Sequence, residues 1–149
     1  MAPAWPVPSE SASPWTDAMR FVVHHTALLD LAGSEALIDE EHELLAPSSS
    51  RSHVLSSLHE AVHLGVLDAE AARQRLTYIR GLRMRLLGDA VMQKVAWEVA
   101  DRLGWPTTYD AEYIALTILQ GDALIATDER LASAAREVVP LETVESVTR

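Results

Sequence analysis

The apolar residues of this chain fall alternately into short dense bursts and longer stretches of helical spacing. Phe21-Val22-Val23 is the first burst, and it predicts a strand over residues 20–24. "TALLDLA" follows as a short helix closed by Gly33, because glycine readily takes the left-handed conformation that ends helices. Ser34 is placed to cap another helix, "EALIDEEHE". The run 44–46, "LLA", stopped by Pro47, reads as strand 2. Over 48–64, Val54, Leu55, Leu58 and Val62 recur at helical spacing, and Gly65 ends the run. Asp68 caps a helix over 69–80, and "LRMRLL", 82–87, is strand 3. Asp89 caps a helix to about Leu103, ended by Gly104 and Pro106. A helix over 108–120 ends at Gly121, "ALIAT", 123–127, is strand 4, and 129–136 is a further helix. "VVPLETV", 138–144, is a last strand, where Pro140 suits a sheet edge.

Strands separated by helices predict an α/β fold: a three-layer sandwich with a central parallel sheet of four to five strands. Such sheets bind ligands beyond the carboxyl ends of their strands. The positions to inspect therefore lie just after strands 1 and 4 and at nearby helix starts.

Composition bounds the class. Hydrophobic residues make up 48% of 149, enough for one globular domain over 19–149. Residues 1–18 hold four of the seven prolines and are expected to form a mobile extension, on which Trp5 and Trp15 are the residues able to dock. There is no cysteine, so disulfides and thiolate metal sites are excluded. No apolar run approaches the roughly 20 residues of a membrane span, and the amino terminus lacks signal-peptide features. A cytoplasmic protein is expected. The net charge of −10 argues against broad nucleic-acid binding. Yet residues 71–88 carry five of the 12 basic residues and no acid: Arg73, Arg75, Arg80, Arg83 and Arg85. They form either a local basic surface or a solvated helix face.

Four polar groups are candidates for a strand-end site. His24 follows strand 1, Asp128 follows strand 4, Asp110 opens the helix before strand 4, and His53 lies in the early turns of the helix after strand 2. Each also has a plain structural reading. Thr107 and Asp110 match a capping box, Asp128 suits a helix N-cap, and either histidine can be satisfied by backbone carbonyls. His25 and His42 are expected on the surface.

Four segments of this chain resemble the PIN domains, specifically the VapC-like toxins of bacterial toxin–antitoxin pairs. They are "MRFVVHHTALLDL", "LLAPSSSRSHVLSSL", "TTYDAEYIAL" and "LIATDERLA", and the resemblance spans about residues 19–144. It implies a magnesium- or manganese-dependent ribonuclease fold, a homodimer, an antitoxin protein as partner and RNA as substrate. Asp110 and Asp128 match the family's acids, and Thr26 and Thr127 its hydroxyl positions. His24 stands where the first aspartate belongs and His53 where the glutamate belongs. Magnesium prefers hard oxygen ligands, whereas imidazole suits zinc, manganese and other borderline metals better. Two outcomes follow. Either the metal is lost, or His24, His53, Asp110 and Asp128 form a mixed site for another metal. The resemblance then implies an endoribonuclease with weak or absent magnesium-dependent cleavage, its RNA held by Arg73–Arg85, or a non-catalytic pseudo-nuclease that binds an antitoxin or RNA.

"HEAVH", 59–63, is a rival metal motif. On a helix its histidines share one face and Glu60 can act as a base, as in zinc hydrolases. Gly65 ends the helix too soon for the elongated form of that motif. His53 is six residues from His59, so the two point to different helix faces.

Overall fold

Side-chain alternation along β1 (Arg20–Val23) creates two cores. Phe21 and Val23 face one layer of helices and Val22 the other. β1 pairs in parallel with β2 (Glu43–Pro47) and β4 (Ala123–Ile125), β2 with β3 (Met84–Leu87), and β4 with β5 (Leu141–Glu142). The sheet order is β3-β2-β1-β4-β5. This is the expected three-layer α/β sandwich with a five-stranded parallel sheet. The structure, a computed structural model, describes residues 18–149. The expected extension with Trp5 and Trp15 lies outside that range, Ala18 excepted.

One core packs α1 (His25–Ser34), α2 (Ser50–His63) and α3 (Ala69–Gly81) on the sheet through Leu28, Leu31, Val54, Leu58 and Ile79. The other packs α4 (Ala90–Leu103), α5 (Tyr109–Gln120) and α6 (Glu129–Ala135) through Met92, Ala96, Tyr113, Ile114 and Leu131. Gly121 joins α5 to β4 where a Cβ would come within 2.9 Å of Val22 Cγ2, so a side chain there would collide with the central strand. Asp68 and Asp89 cap α3 and α4 as expected, accepting from Ala71 N and Met92 N. Among the described residues no helix is long and apolar enough to cross a membrane.

Three local expectations are corrected. α1 does not stop at Gly33. It runs to Ser34, and Glu35 takes the left-handed cap conformation (φ 51°), while the Arg75 guanidinium lies over Gly33. The helix expected over "EALIDEEHE" does not form. Ile38 instead makes an antiparallel bridge with Thr148, Tyr78 donates to Ala36 O, and Asp39 N donates to Val147 O. The apolar residues Ala36, Leu37 and Ile38 are consecutive, so a helix there has no stripe to bury and crowds five acids together. The strands at 123–127 and 138–144 are shorter than expected. β4 ends at Ile125, which frees Thr127 and Asp128. Pro140 contributes only its carbonyl, accepting from Leu124 N.

The chain winds from β1 through β2 to β3 on one side, then crosses back to place β4 on the other side of β1. The winding direction thus reverses at the carboxyl ends of β1 and β4. That crevice is where open α/β sheets bind ligands, and His24 and Asp128 stand at it.

Candidate functional site

β1 delivers His24 directly into the crevice. His24 N donates to Ile125 O, and His24 O accepts from Leu28 N as the first bond of α1. The side chain is only 1% exposed. Its Nε2 lies 2.9 Å from Asp110 Oδ1 and its Nδ1 2.8 Å from Thr26 Oγ1. Thr26 N also points at Nδ1, at 3.4 Å, so the imidazole caps the helix it introduces. These partners assign the tautomer. An ionised carboxylate only accepts, so the proton sits on Nε2, and Nδ1 accepts from the Thr26 hydroxyl. Thr127 Oγ1 donates in turn to Thr26 Oγ1 at 3.3 Å. A directed chain results, Thr127 to Thr26 to His24 to Asp110. Both His24 nitrogens are engaged, and neither offers a free lone pair.

Asp110 comes from the first turn of α5. The capping box with Thr107 does not form. Thr108 is the N-cap residue, without a side-chain cap bond, and the Asp110 carboxylate turns to His24 instead. That hydrogen bond holds the carboxyl below the usual carboxylate range, against the opposing effect of burial. Asp128 takes its plain structural role and caps α6, with Oδ1 accepting from Arg130 N and Leu131 N. Asp110 and Asp128 also line a common cleft of about 160 Å³ with Trp105, Thr107 and Arg130.

His53, in the first turn of α2, packs against His25 and Tyr109, with ring centres 5.1 Å away in each case. His25 is not a free surface residue, as the sequence had led us to expect. It stacks at 4.3 Å on His24, 5.1 Å from His53 and 6.1 Å from Tyr113. Burial, and then His24 and His53 beside it, pull its imidazole down to about 4. His42 is also corrected: its side chain is 8% exposed, its ring packs edge-on to Phe21, and its Nδ1 accepts from Met19 N. Tyr113, fully buried under His24, has its hydroxyl pushed up by burial, with Asp110 acting in the same direction. Glu112 accepts from Ser49 Oγ at 3.3 Å, and burial raises its carboxyl. Tyr113 was detectable in sequence, since it lies three residues beyond Asp110 on the same helix face. His25 had no periodic signal, being the first residue of its helix.

Among the described residues, no group of three or more His, Asp or Glu side chains is arranged to hold a metal ion. The crevice brings together His24, Asp110, Thr26 and Thr127, with His25 and His53 beside them and Asp128 across the small cleft. The arginine-rich stretch is dispersed. Arg73 faces Glu70, Arg75 covers Gly33, Arg80 lines a cleft against α2, and Arg83 and Arg85 line another at the amino end of the sheet. His59, Glu60 and His63 are exposed at the far end of α2.

The same architecture recurs in solved structures. PAE2754 from Pyrobaculum aerophilum superposes with a TM-score of 0.64 at 23% identity, over 87% of this chain and 93% of that one. VapBC2 from Rickettsia felis, solved bound to a DNA fragment from its promoter, superposes with a TM-score of 0.61 at 9% identity, over 84% of this chain and 98% of that one. The fold is PIN-like. No protein-family model matches the sequence, and no curated protein does. At these identities the likeness establishes the PIN-like fold alone.

Proposed function

We propose that this chain is a VapC-like PIN-domain protein of the endoribonuclease toxin lineage in which magnesium-dependent RNA cleavage is weak or absent. The observation that carries the reading is the engagement of His24. A magnesium site needs several hard oxygen ligands at near-octahedral geometry. Here the position after β1 supplies an imidazole whose N–H satisfies Asp110, and Asp128 is occupied in capping α6. The donor set does not fit magnesium. His24 instead does for Asp110 what a bound cation would do, giving the carboxylate a hydrogen-bond partner in a half-buried place. The His24–Asp110–Asp128 crevice survives as a shape and a field, while its hard, multiply negative ligand set does not.

A second reading, a non-catalytic module that binds an antitoxin, is favoured by a separate observation. A cleft of about 470 Å³ between α2 and α3 is lined by Leu28, Val54, Leu55, Leu76, Ile79 and Leu82 and rimmed by Arg51 and Arg80. It suits an apolar segment carrying acidic residues. VapBC2, which shares this fold, was solved bound to a DNA fragment from its promoter.

The test is RNA incubated with the natural chain and with the His24→Asp/His53→Glu variant over a range of magnesium. The expected result is no magnesium-dependent cleavage by the natural chain and a gain in the double variant larger than either single change gives, because ligands to one ion act as a unit. Robust magnesium-dependent cleavage by the natural chain overturns the first reading.

A further inference from the structure

An edge strand leaves half of its backbone N–H and C=O groups without a partner strand, and proteins commonly shorten, cover or charge such edges. The sheet of this chain ends in β3 on one side and β5 on the other. β5 has two residues, follows Pro140 and carries Glu142. β3 has four, Met84–Leu87, and none of them is buried. Ser48 N donates to Leu87 O, so Leu87 turns its carbonyl toward β2. The backbone groups of successive strand residues point to opposite edges. Arg85 therefore also faces β2, and Met84 and Leu86 turn their N–H and C=O outward. Among the described residues no second strand meets them.

The side chains of this edge separate by face. Met84 and Leu86 line the cleft of about 470 Å³ beneath α2 and α3. Arg83 and Arg85 alternate with them toward the other face, and both are exposed. The cleft adds Arg51 and Arg80 and no acid. Residues 71–88 hold five arginines and no acid in a chain of net charge −10, so the positive field is local to this edge. Arginine on an edge also has a protective role, because it repels a second copy of the same edge. That role disfavours self-pairing and selects an acidic strand. We propose that β3 takes up an extended segment of a partner protein in which apolar and acidic residues alternate. The backbone of the segment pairs with Met84 and Leu86, as in other cases of strand addition. Its apolar side chains lie beside those of Met84 and Leu86 over the cleft, and its acids face Arg83 and Arg85. The inference rests on the binding-module reading and names the form of the bound segment, a strand rather than a helix.

The probe is a dye-labelled peptide of alternating leucine and glutamate, capped at both ends and titrated with the full chain by fluorescence anisotropy. Two further peptides carry an N-methyl group on every leucine or on every glutamate. A strand turns its leucine amides to one edge and its glutamate amides to the other, so a single paired edge is blocked in only one of the two. The parent and one methylated peptide should bind saturably, and the other methylated peptide at least about tenfold more weakly, because main-chain bonds supply the affinity of strand addition. Arg83→Glu should weaken the parent at least about tenfold, since like charges across an interface are costly. Arg83 is exposed, and thermal melts check that the variant folds. A peptide alternating leucine and lysine should not bind. Equal binding of both methylated peptides, loss of both, or an unchanged affinity in Arg83→Glu overturns the proposal. A peptide of the same composition with its leucines at helical spacing separates this inference from the reading beneath it. If only that peptide binds, strand addition is overturned and the binding-module reading stands. If neither it nor the parent binds, both fall.

Discussion

The two ends of the sheet each carry a polar network, in opposite physical regimes. At the amino end, Glu43 bridges Arg20 at 3.4 Å and Arg85 at 2.7 Å, and all three side chains are between 34% and 58% exposed. At the carboxyl end, His24 is 1% exposed and bonds Asp110 at 2.9 Å. Exposed pairs are worth about 0–1 kcal/mol, because water already solvates their charges. A buried imidazole has no such alternative, and losing a partner leaves a polar group stranded. The amino end is therefore tolerant, and the carboxyl end is a network whose members must be present together.

The sharpest way to break this contrast is His24→Ala. The change empties a fully buried site, removes the cap of α1 and strips the partners of Asp110 and Thr26. We expect a loss of about 3–4 kcal/mol, combining a cavity with unsatisfied polar groups, read as a lower urea midpoint at unchanged slope. A loss below about 1 kcal/mol would mean that the His24 network is no more stabilising than a surface pair.

Acidity should act on the same end. His25 has a folded-state value of about 4 against an ordinary 6.5. Between those values the unfolded chain binds more protons than the folded one, so stability is complete above about 6.5 and falls as the pH drops toward 4. Metal-free protein melted over that range should lose stability steadily, and His25→Gln should flatten the curve. An unflattened curve would assign the acid sensitivity to other groups. Asp110→Asn should act next in size, by about 1–2 kcal/mol. An amide oxygen can still accept from His24 Nε2 but no longer offers a charge. Urea unfolding checks it, and a loss as large as that of His24→Ala would mean that the charge rather than the hydrogen bond carries the network.

The architecture was legible because burial and periodicity agree. Phe21-Val22-Val23 is apolar on both faces, as a central parallel strand must be, and caps such as Asp68 and Asp89 announced their helices. The acidic run after Gly33 misled because a cap residue before polar residues is a helix signal only where an apolar stripe supports it. In the site, His24 and Asp110 were legible from their places after a strand and at a helix start, whereas Thr26 and Thr127 were legible only through the resemblance to PIN domains. The hydrogen-bond assignments were not, because spacing does not say whether Asp110 turns back to cap its helix or forward to His24. His25 was read as exposed because no periodicity places the first residue of a helix, yet its ring lies against His24. Tyr113 and His53 then close over it from α5 and α2.

The smallest expected effect completes the contrast. Glu43→Gln removes the carboxylate that both Arg20 and Arg85 approach while keeping the shape and a hydrogen-bond acceptor. The strand itself is unaffected, because the β1–β2 ladder pairs Arg20 with Glu43 through the backbone. Both arginine heads stay solvated, so neither is left as a buried charge. We expect less than about 1 kcal/mol of destabilisation, shrinking further as salt screens the pair. Urea unfolding at low and high salt measures it. Arg20 and Arg85 sit on opposite sides of one acid, so removing Glu43 also leaves two like charges facing each other. A loss well above about 1 kcal/mol that vanishes with salt would trace to that repulsion. One that persists in salt would show that the amino end, too, is held as a network, and the difference between the two ends would then be one of degree.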